Sequence, residues 1–170
     1  MRRGTGVLLA AALCFALLPR AGAAEVTVSA QSAVLMEAES GRVLYAKDAD
    51  TPRLIASTTK LMTALVALES GHSLEEDVTI PAEAAGVEGS SLYLKAGETV
   101  KLKTLLYGML LHSGNDAATA VALTCACSLE AFAQKMNEKA QQLGMTNSHF
   151  TNPTGLDGEE HYSSAYDMAL

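Results

Sequence analysis

Ile55-Ala56-Ser57-Thr58-Thr59-Lys60-Leu61-Met62-Thr63-Ala64-Leu65-Val66-Ala67-Leu68 is the stretch on which the reading of this chain turns. Good helix formers, with apolar residues at Leu61, Leu65 and Leu68, predict one helix, and Pro52 and Arg53 lie just upstream of its expected start. Ser57 and Lys60 fall in its first turn, three residues apart, so their side chains leave the same face. A hydroxyl beside an amine is a nucleophile beside a base. The helix N-terminus adds N–H groups and partial positive charge, which favour an oxyanion and a less protonated lysine. The same spacing also fits a plain helix N-terminus with an exposed lysine, so the surrounding chain has to decide between the two.

Upstream, Ser32 to Glu37 and Val43 to Lys47 read as two strands joined by a turn at Glu39-Ser40-Gly41-Arg42, a β-hairpin. Asp48 to Arg53 is a polar lead into the Ser57 helix. At the start of the chain, Met1-Arg2-Arg3, an apolar run from Val7 to Leu18 and the small residues Ala21-Gly22-Ala23 form a secretory signal peptide over residues 1–23. The apolar run is too short for a comfortable membrane span. Cys14 follows Leu13 rather than a small residue, which argues against lipid attachment there. Residues 24–170 are then the mature, exported part.

Downstream, the helix is expected to end near Ser70-Gly71. Val78 to Ile80 is a short strand and Pro81 opens a short helical stretch. Gly86 to Ser91 is a loop, and Ser91 to Leu94 and Thr99 to Leu102 flank a turn at Ala96-Gly97. Thr104 to Leu111 is an apolar helix that stops at His112-Ser113-Gly114-Asn115, and Asp116 to Ala126 is an alanine-rich helix suited to the middle of a bundle. Ser128 caps a further helix with Leu129, Phe132, Ala133, Met136, Ala140 and Leu143 on one face, closed by Gly144. Thr146 to Asp157 is irregular. Ser164-Ala165-Tyr166-Asp167 has capping-box spacing and opens one more helix, which runs to Leu170 with neither cap nor glycine. On that ground the chain is expected to be the N-terminal part of a longer protein.

With 170 residues the chain can form one domain with a real core, and 49% hydrophobic residues argue against disorder. The formal net charge of -7 speaks against a nucleic-acid partner. Cleavage near Ala23 removes Arg2, Arg3 and Arg20 and makes the mature chain more acidic still. Cys125 and Cys127, two apart in a predicted helix, point to different faces and read as two small buried side chains. His72, His112, His149 and His161 have no metal-ligand spacing, so neither a metal nor another cofactor is expected.

Ser113-Gly114-Asn115, in the tight connection between two apolar helices, is the second candidate. As a turn it needs no function, and Asn115 could cap the next helix. Read as chemistry, Ser113 relays a proton between Ser57 and Lys60 while the Asn115 amide orients a substrate amide.

Together and in this order, in an exported chain, the two motifs resemble the S-x-x-K and S-x-N motifs of the serine penicillin-recognising enzymes. The wording narrows the resemblance to low-molecular-mass D-alanyl-D-alanine carboxypeptidases, the penicillin-binding serine peptidases. Ala56 to Ala64 looks like their active-serine helix, and Gly89-Ser90-Ser91-Leu92-Tyr93-Leu94-Lys95 like the loop before their second motif. Ser113-Gly114-Asn115-Asp116-Ala117 is similar to that second motif. His149-Phe150-Thr151-Asn152-Pro153-Thr154-Gly155-Leu156-Asp157 and His161 to Ala169 resemble the segment that follows it.

The resemblance implies an α/β (α+β) fold of the serine β-lactamase/transpeptidase type. It also implies Ser57 as acyl-ester nucleophile, Lys60 as general base, Ser113 as proton relay and Asn115 as substrate-binding residue. The implied substrate is the peptidoglycan stem peptide, with β-lactams as covalent inhibitors. The family's third motif, Lys-Thr-Gly, is absent from this sequence, and on the family's pattern the chain stops short of the strand that carries it. Membrane association is expected only through a C-terminal segment beyond the chain. The rivals are a D,D-endopeptidase, a serine β-lactamase and an inactive truncated fragment. Gly114 between Ser113 and Asn115, where β-lactamases usually have aspartate, favours the peptidase.

Overall fold

The computed structural model describes residues 26–156 and 158–170; the predicted signal peptide lies outside the described residues. Strands β1 (Ala33–Met36) and β2 (Val43–Lys47) form the expected antiparallel hairpin, with a register shift between Leu35 and Met36. Strands β3 (Asp77–Thr79) and β4 (Thr99–Lys101) make a second antiparallel pair. The Thr99 stretch therefore finds its partner beyond the turn, at Asp77–Thr79. Ser91 to Leu94 is irregular instead.

Four helices follow the predicted pattern: α1 (Thr59–Glu69), α2 (Leu102–Leu111), α3 (Asn115–Cys125) and α4 (Leu129–Leu143). Helix α3 is the centre. Ala117, Ala118, Ala120, Val121 and Ala122 have no solvent exposure, and α1, α2, α4 and the short 3-10 turn Ala82–Ala84 all pack on it. Small side chains permit that: an alanine-rich helix lets four neighbours approach closely, while Met62, Leu105, Met109, Phe132 and Met136 fill the spaces between. Helix α4 is amphipathic in the expected way. The Ser128 hydroxyl caps it by accepting from Ala131 N–H at 3.1 Å, and Gly144 ends it in the left-handed conformation, φ 79.

The structure corrects three details. Cys127 lies past the end of α3 and is exposed, while Cys125 is buried as expected. Asn115 is the first residue of α3 rather than its cap; Gly114, which has no side chain to offer, holds the cap position. The expected C-terminal helix is a single 3-10 turn, Asp167–Ala169. Half of its capping box forms, Asp167 N–H donating to Ser164 Oγ at 3.1 Å. The Asp167 carboxylate instead accepts from Asn147 N–H and Ser148 Oγ, both at 2.7 Å. That tertiary use takes away the reciprocal bond that would have steadied a longer helix. Among the described residues no single helix is long and apolar enough to cross a membrane.

Candidate active site

Ser57 sits in a 3-10 turn, Ala56–Thr58, immediately ahead of α1, rather than in the α-helix itself. Ala56 has φ 45, a left-handed value that costs an alanine roughly 1–2 kcal/mol. Such strain turns the chain sharply and leaves Ser57 exposed at the head of the helix while Thr59 and Lys60 are buried. The Ser57 N–H stands at the start of the turn, where amide hydrogens have no acceptor within the helix.

Lys60 Nζ is the hub. It lies 3.2 Å from Ser57 Oγ, 2.8 Å from Asn115 Oδ1 and 2.7 Å from the Thr154 carbonyl. Lys60 is 2% exposed, and burial pushes its amine below the ordinary lysine value. The orientation of the Asn115 amide follows from its other end. Nδ2 is 2.7 Å from the Glu88 carbonyl, which can only accept, so Oδ1 must face Lys60. Two carbonyl oxygens therefore take two Nζ hydrogens. In the neutral amine that leaves the lone pair for the third neighbour, the Ser57 hydroxyl.

Ser113 approaches from the other side. It occupies the break between α2 and α3 with φ 56, the second strained residue of the site, and its Oγ donates to Ser57 Oγ at 2.9 Å. The groove beside these groups has a volume of about 350 Å³ and is lined by Ser57, Lys60, Leu61, Met109, Leu110 and Ser113. The structure thus brings together Ser57, Lys60, Ser113 and Asn115. Among the described residues no three His, Cys, Asp or Glu side chains gather as metal ligands.

Two supports escaped the reading of the sequence. Asp116, fully buried, accepts from Ser91 Oγ at 2.7 Å and from the N–H groups of Leu92, Leu94 and Ala117. Burial alone would raise its pKa, but these four donors outweigh that and hold the carboxyl below the ordinary aspartate value. With Asn115 N–H donating to the Ser90 carbonyl, the head of α3 clamps the 88–94 loop.

The other support is the segment after α4. Asn152 Oδ1 accepts from Thr154 N–H, Thr154 Oγ1 and Gly155 N–H, folding Asn-Pro-Thr-Gly into a tight loop. Pro153 and Thr154 carbonyls then accept from Thr63 Oγ1 and Lys60 Nζ on one face of α1. Gly155, at φ +83, lets the loop touch α1; a Cβ there would stand 1.9 Å from the Ala56 carbonyl oxygen. The Asn-Pro and Gly signals marked a turn in the sequence. Nothing marked its carbonyls as ligands of Lys60.

The mixed helix-and-strand architecture is that of solved penicillin-binding D,D-peptidases. The D-alanyl-D-alanine carboxypeptidase DacD from Francisella tularensis superposes with a TM-score of 0.82 at 39% identity, over 85% of this chain and 36% of that one. Penicillin binding protein 5 from Haemophilus influenzae gives 0.81 at 37% identity, over 86% of this chain and 45% of that one. The D-alanyl-D-alanine carboxypeptidase DacF of Bacillus subtilis is 45% identical over 150 residues, which are 86% of this chain and 39% of that protein. The sequence profile of the D-alanyl-D-alanine carboxypeptidases matches residues 20–170, and the chain belongs to that family. It spans about two fifths of the length of the curated relatives it matches.

Proposed function

We propose that the protein is an exported serine-type D-alanyl-D-alanine carboxypeptidase, with residues 1–23 as its signal peptide and residues 24–170 as part of its catalytic domain. The observation that carries the reading is the coordination of Lys60. Two carbonyl oxygens hold a buried amine 3.2 Å from the Ser57 hydroxyl, and in its neutral form the lone pair is left for that hydroxyl.

In the acylation step Lys60 Nζ takes the proton of Ser57 Oγ, and Oγ attacks the carbonyl between the two terminal D-alanines of a peptidoglycan stem peptide. The Ser57 N–H faces the developing oxyanion. Ser113 passes a proton to the departing D-alanine amine as the C–N bond breaks, and water then releases the shortened peptide. The second hydrogen of Asn115 Nδ2 is the donor for a substrate carbonyl. A β-lactam acylates Ser57 by the same attack and leaves slowly. The chain's membership of the carboxypeptidase family and its likeness to a penicillin binding protein support both the substrate and the inhibitor.

The test uses the full-length gene product. It should take up a fluorescent penicillin covalently and release D-alanine from a stem pentapeptide, and Ser57→Ala should abolish both. Covalent label on Ser57→Ala would refute the assignment.

A further inference from the structure

We propose that His161 is a positioning residue for the acyl-transfer site. Its ring ties Thr59, the residue before Lys60 on α1, to Thr151, at the root of the loop whose Thr154 carbonyl holds the Lys60 amine. The inference rests on the function proposed above and adds a residue to it.

His161 is 1% exposed and stands edge-on to Phe150, with ring centroids 5.9 Å apart. Thr151 N–H donates to its Nδ1 at 3.1 Å. A backbone N–H can only donate, so Nδ1 is the acceptor nitrogen of a neutral ring, and Nε2 carries the hydrogen. Nε2 then donates to Thr59 Oγ1 at 2.7 Å. Thr59 is itself fully buried.

The ring therefore spans the two bodies that meet at the lysine. On one side is α1, which carries Lys60 and continues from the Ser57 turn. On the other is the 151–155 loop, which supplies one of the two carbonyls that fix Nζ. The two are in hard contact, since a Cβ on Gly155 would lie 2.9 Å from Thr59 Oγ1 as well as against Ala56. Breaking the bridge frees the root of the loop, so the Thr154 carbonyl retreats and water reaches the amine. Loss of desolvation returns Lys60 towards the ordinary lysine value, which moves the onset of the reactive, neutral amine to higher pH.

The experiment is the second-order rate of acylation of the full-length protein by a fluorescent penicillin, followed across pH, in His161→Gln and His161→Asn. Glutamine places an amide NH2 where Nε2 stands, keeping the bond to Thr59, and its amide oxygen offers Thr151 N–H an acceptor in place of Nδ1; asparagine is too short to reach Thr59. His161→Asn should react roughly 10- to 100-fold more slowly with its acid limb displaced to higher pH, while His161→Gln stays within about threefold of the parent.

An unimpaired His161→Asn overturns the proposal. So do equal losses in both variants with an unmoved pH profile, which would mean packing alone. If His161→Asn fails to fold, Thr59→Val, which keeps the shape and removes the acceptor, carries the same expectation, and a parental rate there is equally fatal. A parent protein that takes no label at Ser57 would instead refute the reading of the site itself.

Discussion

Gly155→Ala tests how the lysine is held. At φ +83 an alanine pays roughly 1–2 kcal/mol for the left-handed backbone. Its Cβ would also lie 1.9 Å from the Ala56 carbonyl oxygen and 2.4 Å from the carbonyl carbon, both backbone atoms of the Ser57 turn that cannot swing aside. Reaching an ordinary C···O separation of about 3.3 Å requires the loop to retreat by more than about 1 Å. The same retreat stretches the 2.7 Å bond from Lys60 Nζ to the Thr154 carbonyl beyond hydrogen-bonding range. We expect a loss of about 3–5 kcal/mol in stability and roughly a 100-fold drop in penicillin acylation.

Gly97→Ala is the control, because Gly97 has nearly the same φ, +81, and nothing within 4 Å of an added Cβ. It should cost only the backbone contribution and leave acylation untouched. Both quantities come from denaturant unfolding and label-uptake kinetics on the full-length protein. If Gly155→Ala lost no more stability than Gly97→Ala and took up label at the parental rate, the close approach of the loop to α1 would be unimportant to the site.

The other predictions concern charge. Lys60→Met should reduce acylation by on the order of 10²–10⁴-fold. Because burial lowers the folded-state pKa of Lys60, the unfolded chain binds more protons between that value and 10.5, so the parent gains stability as pH rises through this window. Lys60→Met should flatten that slope in unfolding curves taken across pH. Asn115→Asp, nearly isosteric, would put a carboxylate 2.8 Å from Nζ, raise the lysine pKa and displace the acid limb of acylation to higher pH; an unmoved limb would contradict the coordination described here. Asp116→Asn removes a charged acceptor of four donors and should cost about 2–4 kcal/mol in denaturant unfolding. Since the Asp116 carboxyl is held below 3.8 in the folded protein, its stabilisation is present above that value and is lost as pH falls through the lowered one. Only the parent should show that acid dependence.

What the sequence revealed divides along a physical line. Helix α4 was legible to its ends because Ser128, the apolar face and Gly144 are local signals acting within one element. Helix α3 was legible as a central helix because only small side chains admit so many neighbours. Ser57, Lys60, Ser113 and Asn115 were found because motifs mark them, and their meeting in space depends on α1 and α3 lying side by side. The main-chain ligand of Lys60 had no signature: the carbonyl of Thr154 looks like any other, and its place depends on Asn152 and Gly155 acting at a distance from α1. Asp116 and Asp167 were hidden for a related reason. Each sits near a helix start, where a local cap is the natural reading of an aspartate, and each spends its carboxylate chiefly on a distant loop.

Thr59, Lys60 and Thr63 are all buried on the inner face of α1, a costly arrangement unless every polar head finds a partner. Each does so in the chain between Pro153 and His161, which makes the docking of that segment depend on all three at once. The nature of the partners then matters for the chemistry. A carboxylate against Lys60 would satisfy the amine equally well and would raise its pKa, fixing it as an ammonium ion. Carbonyl oxygens satisfy two N–H groups without supplying a full charge, so the cost of burial stays uncompensated and the amine is left able to accept a proton. The one carboxylate at the head of α3, Asp116, is turned to the Ser91–Leu94 loop and held there by Ser91 Oγ and the N–H groups of Leu92 and Leu94. Its neighbour Asn115 supplies the neutral oxygen. The order Asn115-Asp116 at the start of one helix thus separates two electrostatic tasks, a neutral acceptor for the base and a charged clamp for the loop.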